Sequence, residues 1–500
     1  KTIAVSVNKL QAGDVLIVKD GEYFEEEIKI LNSGTAENPI TIKAENRFGA
    51  RIISNSKFHI MTVRFADHII IDGFDISNKQ GEFAPGDPLD YYGNGQFHGF
   101  AIQSNFSEPY DPAKHITVKN CYAHHVAFNG FAGSGDHILV ENCVAIENSH
   151  IDDGTGQNGS GFSVTGLKKN IAPDSEPGYH IIIRNNIAAG NWADEPIDGN
   201  GFAADGNGII CDYATGNAAS LWDARSLVAN NLSYNNGGHG IHVFKNDYVD
   251  VINNTAAYNG WVISNPAINS GQSTKSRQIA DGASAGCNFF NNIAIDAQYT
   301  FGGTVDGSQT LSLRSQGTEQ LARNNVMIGP DYDIASTEEA YNLIMTGEDI
   351  GYLNFVNDQD GVVNDGLSNA ELHAALVNFH LNSGSPAIDY GDNNRVTAEM
   401  TTDLDGNTRI NGSTVDAGCY ESGTYTMRSV TTSNATGNGT VLPVSGTSYP
   451  DGSYAIIDAV PDAGYELAYW TGDVPANYRS NPAVLVMDAN KSITAHFREI

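Results

Sequence analysis

RNNIAAGNW (184–192) and ANNLSYNNG (229–237) are one pattern written twice. An Asn pair is followed by an apolar residue, a small residue and, six positions after the first Asn, another Asn. The pattern continues in INNTAAYNG (252–260), while FNNIAIDAQ (290–298) and RNNVMIGPD (323–331) keep the Asn pair, and KNCYAHHVA (119–127) and ENCVAIENS (141–149) upstream keep its first Asn before a Cys. Asn120, Asn142, Asn185, Asn230, Asn253, Asn291 and Asn324 form one column, and Asn148, Asn191, Asn236 and Asn259 a second.

Ahead of each pair stands a short β-branched run: HITV, HILV, HIIIR, SLVA and VDVI. Their alternation predicts half-buried strands. After each pair comes a glycine strand: HGFAIQS from His98, NGFAGSG from Asn129, SGFSVTG from Ser160, NGIICDY from Asn207, HGIHVFK from His239 and NGWVISN from Asn259. A unit with two or more strands per repeat, stacked at about 4.8 Å, is a coil of a parallel β-helix. Asn amides in its turns then hydrogen-bond up and down the stack. The chain is therefore expected to be all-β, a right-handed parallel β-helix traced from about residue 60 to about residue 330, with the two Asn columns as its ladder.

Composition agrees with a soluble protein. The 59 acidic residues against 27 Lys and Arg give a net charge of −32, which excludes a nucleic-acid or anionic-membrane partner held by clustered cations. No stretch reaches the roughly 20 apolar residues of a membrane span. Lys1 does not open a signal-like segment, so an exported protein would already have lost its leader. The five cysteines (Cys121, Cys143, Cys211, Cys287, Cys419) lack a C-x-x-C pairing and are read as buried small hydrophobes. A monomer is expected.

Within the glycine strands, Ile209 with Cys211 and Ile241 with Val243 should point inward, leaving alternate positions outside. Those outward positions pass from Ala101, Gln103, Ala132, Ser134, Ser163 and Thr165 to Ile210 and Asp212, then His242 and Phe244, with Lys245 next. Asp212, His242 and Lys245 are thus a candidate proton-transfer set on a stiff sheet. His239, Arg225 and Trp261 are candidates to hold substrate. Two consecutive coils carry long inserts, SHIDDGTGQNGS (149–160) and NWADEPIDGNGFAADGNG (191–208), expected to wall a cleft beside that set. Their carboxylates, Asp152, Asp153, Asp194, Glu195, Asp198 and Asp205, suit Ca²⁺, which takes 6 to 8 oxygen ligands.

AGDVLIVKDGEY (12–23) and GTAENPITIKAE (34–45) resemble the opening coils of extracellular β-helix polysaccharide lyases and related enzymes. SGSPAIDYGD (383–392), DLDGNTR (403–409) and VDAGCYE (415–421) resemble a closing segment of secreted bacterial β-helix proteins, which implies a cap at about 380–422 and export. The helix domain is accordingly placed at 1–422. From about Tyr425, GNGTVLPVSGTSYPDGSYAIIDAVPDAGYELAYWTGD (437–473) and MDANKSITAHF (487–497) resemble the internalin-B-like bacterial repeat, giving a small β module at 425–500 with Trp470 in its core.

The glycine strands, Asn columns and Asp-rich turns resemble calcium-dependent pectate lyases of polysaccharide lyase family 9, within the pectin-lyase-like superfamily. That resemblance implies a secreted enzyme that cleaves an anionic, uronate-containing polysaccharide by β-elimination, with Ca²⁺ bound by Asp152, Asp153, Asp194, Asp198 and Asp205. In the family a Lys after a Gly-Phe pair is the base. Here His242 follows Gly240-Ile241, the lysine is displaced to Lys245, and Gly156 stands where the family's Asp-Asp-x-x-Asp needs its third Asp. A glycoside hydrolase using Asp212 with Asp205 or Asp198, a uronan epimerase and a non-catalytic glycan-binding surface protein are the alternatives.

Overall fold

The structure is a computed structural model. It describes residues 2–54, 59–78, 98–105, 111–149, 159–167, 171–192, 206–212, 214, 221–260, 276–295, 299–301, 304–306, 310–315, 320–328, 333–334, 338–345 and 379–500.

Three long parallel sheets run the length of a right-handed β-helix, two with 11 strands and one with 10. Each coil contributes one strand to each sheet in turn. The coil that carries the predicted site, for example, places Arg225–Ala229 in sheet A, Leu232–Tyr234 in sheet B and Ile241–Phe244 in sheet C. Strands begin at Val15 and continue to Met345, so the solenoid is longer at both ends than the Asn repeat alone implies. A one-turn helix, Ile3–Val7, buries Ile3 and Val7 against the first coil.

The interior is built from the period-2 pattern. Sheet A turns Ile69 and Ile71, Ile116 and Val118, Ile138 and Val140, and Ile181 and Ile183 inward. Sheet C supplies a stack of Phe100, Phe131 and Phe162, with ring centroids 4.9 and 4.7 Å apart, continued by Ile209, Ile241 and Ile279. Sheet B supplies Ile52 and Ile76 at its start and Met327 near its end, with the small residues Ala123, Ala145, Ala188 and Ala256 between them. All five cysteines are buried, as the sequence suggested, and burial pushes the Cys287 and Cys419 thiols up to about 12.

The Asn ladder exists, but it is formed by the second residue of each pair. The first, from Asn120 to Asn324, sits in the left-handed region with φ of 53° to 56°, which turns its side chain away from the interior. The second points in. Asn186, Asn231, Asn254, Asn292, Asn325 and Asn342 pass an amide hydrogen bond from coil to coil at 2.9 to 3.0 Å. Cys121 and Cys143 hold the same inward place in earlier coils, and the Cys143 N–H donates to Asn186 Oδ1. The other column behaves as expected: Asn148, Asn191, Asn236 and Asn259 bond in series and end on Gln278 Oε1.

Asn254 therefore accepts from the Asn231 N–H and side-chain amide, and donates to Asn292 Oδ1 and the Val228 carbonyl. Asn254→Ala strands buried partners in two neighbouring coils. We expect a loss of about 2–3 kcal/mol in urea unfolding, against about 1 kcal/mol for Asn120→Ala at the half-buried outer position, where the left-handed backbone strains alanine.

The middle strands of sheet B are buried on both faces. Its outward residues Val144, Ile187, Leu232, Ile293 and Val326 are covered by 379–421, which adds Phe379, Leu381, Leu404, Ala417 and Tyr420. Where the sequence suggested an end cap, the described part of this segment is a strap along the flank. It accepts from the outward Asn column: Asn324 donates to the Tyr390 carbonyl, Asn253 to Asp416 and Asn230 to Thr402. The C-terminal module then folds as a four-stranded and a three-stranded sheet around Trp470, which is fully buried and donates its indole N–H to the Ser480 carbonyl. The module is seated on sheet B of the early coils. Tyr478 and Ser480 hydroxyls donate to buried Asp75, and Tyr122 donates to the Pro482 carbonyl.

Candidate active site on sheet C

With sheet B covered, the outer face of sheet C is where the ionisable series predicted from sequence lies. Its strands are entered through a repeated dipeptide, a polar residue followed by glycine, and both positions have a structural cause. An added Cβ at Gly99, Gly130, Gly161, Gly208 or Gly240 would lie 2.5 to 2.9 Å from the carbonyl oxygen of the next coil, so only glycine allows the strands to pair there.

The residue before the glycine builds a polar ladder. Asn129 Oδ1 accepts from the Ser160 N–H, Asn207 Oδ1 from the His239 N–H, and His239 Nδ1 from the Arg277 N–H. His239 is thus fixed as part of the ladder, with Nδ1 as acceptor. Its ring stands edge-on to His242 with centroids 4.5 Å apart. It buttresses the site residue next to it.

The inward and outward assignment holds. Ile241 and Val243 are buried, while His242 and Phe244 are half-buried on the outer face, as is Asp212 one coil earlier. The register sets Ile210 beside His242 and Asp212 beside Phe244. On the following coil, Ala280 lies beside His242 and Gly282 beside Phe244. Ile210 and Ala280 are themselves buried, so the imidazole is half-covered on this face. A Cβ on Gly282 would come within 3.6 Å of His242 Nε2 and 2.9 Å of the Phe244 ring.

Lys245 leaves the strand in the left-handed region, φ 49°, with its N–H donated to the Gly282 carbonyl at 2.8 Å. Its ammonium returns over the Phe244 ring, 4.9 Å from the centroid. Phe244 is therefore the platform between Lys245 and the strand that carries Asp212. The patch offers an imidazole, an ammonium and a carboxylate on one rigid face.

Arg225 lies elsewhere. It opens the sheet A strand of the same coil and forms a two-pronged ion pair with Asp250, which also accepts from the Tyr179 hydroxyl at 2.7 Å. Trp261 and the carboxylates Asp152, Asp153, Asp194, Glu195, Asp198 and Asp205 lie outside the described residues. The inserts that contain these carboxylates connect sheet B strands Val144–Ile146 and Ile187–Ala189 to sheet C strands Phe162–Thr165 and Ile209–Asp212.

A second cluster went unread in the sequence. His68, His115, His137 and His180 stand at the starts of sheet A strands in successive coils; the first three rings stack at 4.5 and 4.7 Å, and His180 lies tilted against His137 at 4.1 Å. The signal was the His that begins HITV, HILV and HIIIR.

Two family descriptions match parts of the chain. Residues 1–71 match chondroitinase B. Residues 429–500 match the divergent InlB B-repeat domain. The C-terminal module is therefore similar to that repeat in sequence, as expected from its turns.

Among solved structures, pectate lyase Pel9A is similar at 14% identity and TM-score 0.41, covering 84% of this chain and 90% of that one. A rhamnogalacturonan lyase gives 17% and 0.39, covering 65% and 82%. The GH136 lacto-N-biosidase of Eubacterium ramulus gives 14% and 0.37, covering 69% and 64%. A search among curated proteins by sequence returned no match. The fold itself rests on the three sheets.

Proposed function

We propose that the protein is an extracellular enzyme that cleaves a uronate-containing polysaccharide by β-elimination on the outer face of sheet C. The observation that carries this reading is the placement of His242 and Lys245 beside the same Phe244 ring, with Asp212 on the adjoining strand. β-Elimination breaks the C5–H and C4–O bonds of a uronate and forms a C4=C5 double bond. It requires a base at C5, a positive charge at the carboxylate, and a proton for the leaving oxygen.

An imidazole is the side chain suited to take a proton near neutrality. His242 is assigned that role. Lys245 neutralises the uronate carboxylate, and Asp212 favours the imidazolium that forms. Between them Phe244 offers an apolar ring for a sugar face. The match of the opening coils to chondroitinase B supports a glycan substrate.

Calcium belongs to the same proposal, because a chain of net charge −32 repels a polyuronate unless cations bridge the two. The carboxylates proposed to hold it lie outside the described residues, and no step is assigned to the ion.

The test is a panel of pectate, alginate, glycosaminoglycans and neutral glycans. We expect ultraviolet absorbance from an unsaturated uronate with one or more of the acidic glycans, lost on EDTA dialysis and restored by Ca²⁺. Reducing ends without that chromophore would replace the lyase by a hydrolase, and altered uronate stereochemistry without cleavage by an epimerase. Binding without any product would make the protein a glycan-binding surface module. Full activity after EDTA removes calcium from the reading.

A further inference from the structure

The histidine column on the edge of sheet A meets one of the long connections from sheet C. Between the sheet C strand Phe131–Ser134 and the sheet A strand Asp136–Glu141 there is a single residue, Gly135. One coil later the connection from Phe162–Thr165 to Tyr179–Arg184 is much longer, and its described part, residues 171–178, brings Asp174 and Glu176 over the histidines. There the donor atoms of Asp136, His137, Asp174 and His180 all lie within 4.8 Å of one another.

Hydrogen bonding shows what this cluster needs. His180 Nε2 lies 2.9 Å from the Glu176 carbonyl, which only accepts, so Nε2 carries the hydrogen. In the neutral ring Nδ1 is then a lone pair, and it faces Asp136 Oδ1 at 2.6 Å. Two acceptors at that distance require a positive species between them. Next to this pair, His137 Nε2 lies 2.8 Å from Asp174 Oδ1 and 3.9 Å from Asp136 Oδ1.

A proton on His180 would supply that charge, but it would put a buried imidazolium 4.1 Å from the centroid of the His137 ring. A single divalent ion avoids this, because two carboxylates and two neutral imidazoles carry the charge that balances it. Asp136 and His180 are buried, where an uncompensated charge is expensive. The His180 ring, with its far N–H on a backbone carbonyl, is already held as metal-ligating histidines are held.

We propose that Asp136, His137, Asp174 and His180 form a site for one divalent transition-metal ion such as Zn²⁺, which pins segment 171–178 to the edge of sheet A. Two nitrogens and two oxygens are a set that tetrahedral Zn²⁺ accepts, with ligand bonds of about 2.0–2.2 Å and hence ligand separations of about 3.4 Å. The two close pairs have to open by less than about 1 Å to reach it. Lys114, 3.7 Å from Asp174 Oδ2, touches the oxygen that the ion does not use. The site lies on sheet A and is independent of the catalytic reading of sheet C.

The experiment is Co²⁺ titration of the chelator-treated full chain, followed by visible absorption and then by Zn²⁺ competition. We expect one equivalent of Co²⁺ to give the intense bands of a tetrahedral ion, Zn²⁺ to displace it, and Zn²⁺ to slow proteolysis within 171–178. Asp174→Asn and His137→Gln should each weaken binding at least tenfold. Should His137→Gln fold poorly, as judged by melting without metal, Asp174→Asn on the partly exposed segment still decides. Absence of the Co²⁺ bands in the wild type, or equal affinity in a folded Asp174→Asn variant, overturns the proposal and leaves a proton as the bridging charge.

Discussion

Lys245→Ala and His242→Ala are each expected to lower the rate of unsaturated-product release by about 10²- to 10⁴-fold, the range that removal of a positioned acid, base or charge partner produces. Both side chains project from the outer face, while the inward neighbours Ile241 and Val243 and the ladder residue His239 remain in place. Melting temperature and far-ultraviolet circular dichroism should therefore match the wild type. The two variants should separate in kind. Lys245→Ala loses the contact with the substrate carboxylate and raises KM as well as lowering kcat, whereas His242→Ala acts on kcat. Arg225→Ala serves as the contrast, because its ion pair with Asp250 lies on sheet A. Full activity in both site variants would remove the patch from the mechanism.

The second large effect is expected at Arg409. Its guanidinium is buried with the Glu421 carboxylate, donates to Asn230 Oδ1 and to the Asp416 carbonyl, and so joins the strap to the outward Asn column. Arg409→Ala leaves Glu421 without its counter-charge, a change worth about 3–5 kcal/mol. Burial already pushes the Glu421 carboxyl up to about 7 from its ordinary 4.5, with Arg409 opposing and Asp416 adding to the rise. A raised carboxyl holds its proton in the native state, so its stabilising contribution is lost as pH rises from 4.5 through 7. The variant should consequently be closer to wild type at pH 5 than at pH 8. Limited proteolysis of 379–422 across that range is the measurement, and a pH-independent difference would contradict it.

The glycine strands showed their inward and outward faces because a period of two and one fixed glycine determine them. The Asn pairs were harder. Both members recur, the first as Asn in seven repeats and the second in five, and only the backbone decides which one turns in. A clue was present in KNC and ENC, where a small buried Cys stands in the second place and marks it as the inward one.

Register was the other thing hidden. Arg225 and Asp250 are separated by a full coil, and nothing local announces their pairing. The strap was recognised as a segment but not located. Its location could have been inferred from Val144, Ile187 and Leu232, apolar residues in an outward column that need a cover.

That cover has a kinetic meaning. A solenoid in which each coil touches only its neighbours is close to a one-dimensional array and can fray from either end. Here hydrogen bonds join Tyr122 to Pro482 and Asp75 to Ser480, 360 and 405 residues apart in sequence, so the last part of the chain closes on the first coils. Such contacts form only after the coils between them have stacked, which makes folding slow. Once made, they oppose loss of the early coils one at a time, which lengthens the lifetime of the native state.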